Sequence, residues 1–242
     1  VSWNATSSGS WTEIDNDGFK RFSVAHELGH YFLPGHIDAL LADGHDIHES
    51  HAGSFTGDRY ERQADHFAAN LLMPRRLFAA AVLKAGDGLT AIESLAALCE
   101  TSLTSTAIRY ARCVEVPAAV VISTRGRIEF CFMSPALAEV RGLTWIRKGM
   151  PVPSGTATHA LSMNAGRVER CERADYTSDL QTWFDGQRNV EMTEEVIGLG
   201  QYGKTLTVLY ASAGIDEDED DEDDDEAGDD WGEPSFRRSR RR

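Results

Sequence analysis

The chain of 242 residues lacks any apolar run long enough to cross a bilayer, which excludes an integral helical membrane protein. No signal peptide is expected at Val1. Its four cysteines, Cys99, Cys113, Cys131 and Cys171, stand far apart and form no metal-type pair. This predicts reduced thiols in a cytoplasmic protein, with no disulfide framework and no cysteine-ligated zinc. Positive charge is also scarce, with 24 Lys and Arg against 39 Asp and Glu. The deficit is uneven: from Asp216 onward fourteen acids and five arginines leave −9, so the body carries only −6 of the total −15. A mildly acidic body does not favour direct binding of nucleic acid. There is also little room before residue 17 for a sheet. Val1-Ser2-Trp3 is a candidate strand at most, and the chain is expected to start late or to be truncated.

What is present is concentrated at Arg21 to His30, which reads Arg-Phe-Ser-Val-Ala-His-Glu-Leu-Gly-His. On a helix, His26 and His30 project about 40° apart on one face. Two imidazoles so placed can grip one zinc ion, and Glu27 points to the side, where a carboxylate can serve as general base. A bare His-Glu-x-x-His also arises by chance on solvated helices. Here Phe22, Ala25, Gly29 and Phe32 form an apolar stripe beside the histidines, which predicts a mostly buried helix. That helix can start near Asp17 and must end by Pro34-Gly35. Gly29 weakens a helix, so its expected use is close approach of another element.

Two residues compete to be the third donor. His36 lies ten residues after His26, the spacing of a longer zinc motif that needs glycine at position 33; this chain has Leu33. Glu61 opens a second helix that ends at Leu71-Leu72-Met73-Pro74, and Asp65 shares its face at i, i+4. The plainer role of Glu61 is a helix cap begun at Asp58. Ala64 and Ala68 allow tight packing where Gly29 leaves room, and Asp65 can then accept a hydrogen bond from a liganding histidine. The glycine mismatch favours Glu61.

Arg-Phe-Ser-Val-Ala-His-Glu-Leu-Gly-His-Tyr-Phe followed by Glu-Arg-Gln-Ala-Asp-His-Phe-Ala-Ala-Asn-Leu-Leu-Met-Pro resembles the ImmA/IrrE metallopeptidases in order and spacing. The resemblance implies a gluzincin-type site with His26, His30 and Glu61 as Zn2+ ligands, Glu27 as catalytic residue and Asp65 behind them. It further implies a protein substrate, a helix-turn-helix repressor of the Xre type, cleaved to relieve repression of stress-response or mobile-element genes. Two other functions stay open: a zinc-containing regulator that inactivates its partner by binding alone, and a DNA-binding regulator.

The loop between the blocks carries His45, His48 and His51 among Gly, Asp and Ser, which reads as solvated, although His48 or His51 can be imagined near a scissile carbonyl. His66 reads as helix surface. After Pro74, Arg75 to Lys84 continue as a helix. Ile92 to Cys99 and Ser105 to Cys113 then form a helix-turn-helix-like pair. Arg109 and Arg112 would meet phosphates if that pair read DNA, but a packing module suits the acidic body better. From Pro117 the period changes. Ala119 to Ser123 is an apolar run, Thr124-Arg125-Gly126 a turn, and Ile128, Phe130 and Phe132 alternate with charges. A helix is expected in Ser154 to Met163, strands in Val190 to Ile197 and Thr205 to Tyr210, and core roles for Trp145, Trp183 and Phe184.

The expected fold class is α+β: a zincin-like peptidase core over 1–74, a helical module over 75–115, an α+β domain over 116–213 and a disordered acidic tail with a basic end over 214–242. In relatives the third region resembles a GAF-like sensor.

Overall fold

The computed structural model describes residues 17–42, 59–185 and 190–211. The candidate strand at Val1, the cap at Asp58, the histidines at 45, 48 and 51 and the acidic tail lie outside the described residues.

Six helices come first: α1 (Asp17–Phe32), α2 (His36–Ala42), α3 (Arg59–Leu72), α4 (Arg75–Ala85), α5 (Gly88–Cys99) and α6 (Leu103–Ala111). The chain then builds β1 (Ala118–Thr124), β2 (Arg127–Met133), the short helices α7 (Pro135–Ala138), α8 (Ala157–Ser162) and α9 (Ala165–Glu169), β3 (Arg173–Asp179), α10 (Leu180–Phe184), β4 (Glu191–Gly198) and β5 (Lys204–Tyr210). The five strands form one antiparallel sheet in the order β2-β1-β5-β4-β3. The architecture is α+β, with a helical N-terminal part.

The sheet is covered on both faces, which explains the unbroken apolar run of β1. Val120 and Ile122 join Leu206 and Val208 beneath Phe78, Ile92, Leu95 and Tyr110 of α4 to α6. Ala119 and Val121 join Met192 and Leu209 under Leu137, Leu180, Trp183 and Phe184. Arg125 and Gly126 both adopt positive φ, 49° and 72°, as a two-residue hairpin with the twist of its strands requires.

Helix ends are secured locally. Pro74 precedes α4, where the missing N–H costs nothing. Glu100, left-handed at φ 51°, ends α5, and the Ser102 side chain accepts a hydrogen bond from the Ser105 N–H to start α6. Neighbouring residues of β4 serve two further helices. Glu194 Oε1 accepts from the Thr158 backbone N–H and hydroxyl at 2.7 Å each, at the start of α8. Glu195 Oε2 accepts from the Leu89 N–H at the start of α5 on the opposite face.

Several expectations need correction. Trp145 is 52% exposed while Trp183 and Phe184 are buried, because Trp145 lies in the irregular segment between α7 and α8. Strand β3 was not expected: it is a largely exposed edge strand whose sequence, Arg-Ala-Asp-Tyr-Thr-Ser-Asp, lacks an apolar alternation. The helix expected over Ser154 to Met163 is confined to α8, with Thr156 as its cap. Phe32 leaves the buried stripe of α1 and stacks on Phe67 at 6.5 Å between ring centroids. Val24 and Tyr31 of α1 are also exposed, so that helix is buried along one side only.

Candidate metal centre

The site is assembled by packing α1 against α3. Phe22 and Ala25 of α1 and Ala68 of α3 form a small apolar cluster. Nearer the site, the helices touch at Gly29 and Ala64: a β-carbon on Gly29 would lie 3.0 Å from Ala64 Cα. Two small residues let the backbones approach, and the longer side chains one turn away then converge.

His26, His30 and Glu61 are all buried and form a group able to hold a metal ion. His26 Nε2 and His30 Nε2 are 3.0 Å apart, and each lies 3.3 Å from an oxygen of the Glu61 carboxylate. Zinc–nitrogen bonds of about 2.0–2.1 Å in a tetrahedral shell would space neighbouring donors by about 3.3 Å. The donor set therefore fits such an ion in both chemistry and spacing.

Asp65, one turn along α3 from Glu61, approaches His26 from behind, with Oδ1 2.8 Å from Nδ1. An ionised carboxylate only accepts, so Nδ1–H donates and the Nε2 lone pair faces His30 and Glu61. The two imidazoles titrate in opposite directions. Burial alone would lower the pKa of His26, but the hydrogen bond and charge of Asp65, helped by Glu61 and Glu27, carry it above the usual 6.5. Burial holds His30 below that value despite the charge of Glu61. Glu27 is exposed on α1 beside the pair, open to an incoming molecule.

His36 takes a place that its spacing does not suggest. It is fully buried at the start of α2, but it lies behind His30: its Nδ1 is 3.2 Å from His30 Nδ1, on the opposite side of that ring from Glu61. Its Nε2 is 3.1 Å from Gln63 Oε1. Gln63 was missed by sequence reasoning. Two residues from Glu61, it points about 200° away round the helix, so no shared-face pattern marks it. His66 is exposed, as its position on α3 suggested.

The helix-turn-helix-like pair is real as α5 and α6, but Arg109 is not offered to a ligand. It is buried, and its guanidinium donates to the Met73 carbonyl at 3.0 and 2.6 Å and to Asn70 Oδ1 at 2.8 Å. Among the described residues, the four cysteines are free and no helix is long and apolar enough to cross a membrane.

Residues 15–110 match the IrrE N-terminal-like domain of peptidase family M78. This stretch is a member of that family. Peptidases of the M78 family are metal-dependent, and the matched residues include both blocks that supply the His-His-Glu group. No curated protein matches the chain. Among solved structures, a Mycobacterium tuberculosis transcriptional regulator aligns with 80% of this chain at 15% identity and a TM-score of 0.48. The chain spans 56% of the length of that structure.

Proposed function

We propose that this chain is a zinc-dependent endopeptidase, with His26, His30 and Glu61 as metal ligands and Glu27 as the general base. The observation that carries the reading is the spacing of the three donors, 3.0, 3.3 and 3.3 Å, in a buried group within an M78 domain. Zinc, when bound, supplies a Lewis acid and lowers the pKa of a water toward about 7. Glu27 takes a proton from the attacking water and passes it to the departing amide nitrogen. Asp65 fixes the His26 ring and its tautomer through the 2.8 Å hydrogen bond. The buried flanks of α1 and α3 keep the liganding side chains in fixed rotamers, while exposed Glu27 meets the substrate.

The substrate that suits the family resemblance is a cytoplasmic Xre-type helix-turn-helix repressor, whose cleavage relieves repression of stress-response or mobile-element genes. We assign 116–213 to recognition of substrate or signal, as a GAF-like sensor would act; among the described residues, the group able to hold a metal lies outside it. The burial of Arg109 and its bonds to Met73 and Asn70 favour a packing module over a DNA reader at α6.

The test is mass spectrometry of a co-encoded repressor incubated with zinc-loaded protein, beside Glu27→Gln. Cleavage by the native chain and intact repressor with the variant are expected. Repressor that is bound but uncut by the native chain would replace hydrolysis with sequestration.

A further inference from the structure

Strand β2 forms one edge of the sheet. Its first half is covered: the Ile128 N–H donates to the Met150 carbonyl, and the Ile128 carbonyl accepts from the Gly149 N–H. Among the described residues no strand lies beyond its second half. There Phe130 and Phe132 are half-buried, stack at 6.4 Å between ring centroids and pack against the apolar layer under α6. A cation stands over each ring. Lys148 Nζ lies 5.4 Å from the Phe130 centroid, and Arg112 Cζ lies 5.9 Å from that of Phe132. Past Arg112 the strip runs into a cleft of about 300 Å³ lined by Arg75, Arg112, Cys113 and Pro135.

Lys148, Arg112 and Arg75 are exposed, and among the described residues none of them forms an ion pair. Glu129 feels the charge of Lys148 but is held by Lys204 and Thr124. Glu115 and Glu139 also line the cleft, and neither pairs with an arginine there. Behind the cleft lies buried Arg109, whose pKa is lowered by burial and further by the charges of Arg112 and Arg75. Like charges are thus crowded together at one end of the strip.

We propose that this strip is the docking surface for the chain's own acidic tract, Asp216 to Glu226. Charge and reach select that occupant. The tract is a run of eleven consecutive acids, complementary to a strip with cations at both ends. The chain also arrives at the right end of the sheet. The Ala211 N–H donates to the Pro117 carbonyl at 3.0 Å, Ala118 pairs with Tyr210, and Ala119 pairs with Met133. Ala211 therefore stands two strand spacings, about 10 Å, from the end of β2. The five residues onward to Asp216 can span about 17 Å. The tract can enter beside Pro135, meet Arg75 and Arg112, and run over Phe132 and Phe130 to Lys148. A tethered segment is present at high effective concentration, so ion pairs that are individually weak at an exposed surface suffice together. While docked, the acids are withheld from other basic surfaces. A partner whose basic face competes for them uncovers the aromatic strip.

The experiment uses the full chain. A carbodiimide joins a lysine amine to a carboxylate where the two touch, and peptide mass spectrometry locates the joint. At low salt Lys148 is expected to link to the tract in protein of monomer mass. Lys84, exposed at the opposite end of α4 from Arg75, should link far less often. The Lys148 link should fade at about 1 M salt, where the screening length is about 3 Å. It should fade equally in Arg75→Gln/Arg112→Gln, which keeps Lys148 and removes two exposed charges. Equal linking of Lys84 and Lys148, or a Lys148 link that the double variant leaves unchanged, overturns the proposal. A Lys148 that never links to the tract also overturns it, since the acids are then answered elsewhere, as by the arginines from Arg237 to Arg242. Links found only at dimer mass would place the tract on a second copy. Binding of a single-stranded oligonucleotide with no tract link at Lys148 would give the strip to nucleic acid. Either result overturns docking within one chain.

Discussion

Gly29 and Ala64 meet almost backbone to backbone: a β-carbon on Gly29 would sit 3.0 Å from Ala64 Cα and 3.3 Å from Ala64 Cβ. The contact sets the spacing of α1 and α3, and so the reach of the histidines toward Glu61. A branched side chain cannot be accommodated by rotating Ala64, whose own atoms are the obstacle. Gly29→Val should therefore lose about 1–3 kcal/mol of stability and bind zinc less tightly. Chemical denaturation and metal titration of the same sample measure both; unchanged stability would mean that the helices separate at no cost.

Zinc should act as a folding ligand. Metal that binds only the native state stabilises it by mass action, by about 2.7 kcal/mol at a hundredfold excess over Kd, and so raises the unfolding temperature. Thermal melts with zinc and with chelator should differ for the native chain. The difference should vanish in His26→Ala and Glu61→Ala.

Arg109 joins the end of α3 to α6 through Met73 and Asn70. Arg109→Met keeps most of the volume but leaves a buried carbonyl and amide oxygen without this donor. A loss of about 1–3 kcal/mol is expected in urea denaturation. Affinity for double-stranded DNA, measured at low salt, should be equally weak before and after the substitution.

Glu129 links β2 to the distant Lys204 at 2.7 Å and accepts from the Thr124 hydroxyl at 2.6 Å. Burial alone would raise its pKa, but the hydrogen bonds from Lys204 and Thr124 and the charges of Lys204 and Lys148 outweigh burial and leave it below the usual 4.5. A carboxylate with a depressed folded pKa contributes stability that is present above the unfolded value and lost as pH falls through the folded one. Lys204→Met should hence destabilise the protein at pH 6, and the gap to the native chain should close as pH drops below 4.5. Denaturation midpoints across that range test the sign.

The buried His-His-Glu group was the most legible part of the chain. His26, His30, Glu61 and Asp65 sit at helical spacings, so two faces could be read before either helix was placed. Gly29 was legible for the same reason, since a helix breaker inside a strong pattern asks for a close neighbour. The hairpin of β1 and β2 followed from its apolar run and its alternation. Strand β3 was not legible, because an exposed edge with charges at both ends has no buried face to impose a period. Trp145 misled because aromatic size alone does not say whether the surrounding backbone enters the core. Gln63 was hidden for a different reason: its contact with His36 spans twenty-seven residues, which no periodicity covers.

The adjacent pair Glu194 and Glu195 has a consequence for how the sheet assembles. Each carboxylate answers an N–H at a helix start, one on either face of β4. Slipping β4 by one residue against its neighbours would exchange the faces of both. Either direction of slip seats one acid where the other stood, leaves one helix start without its acceptor, and carries Met192 and Ile197 into the opposite apolar layers. A misthreaded strand thus loses a helix-start acceptor together with its apolar match to both layers, so polar and apolar contacts of one strand check the same pairing.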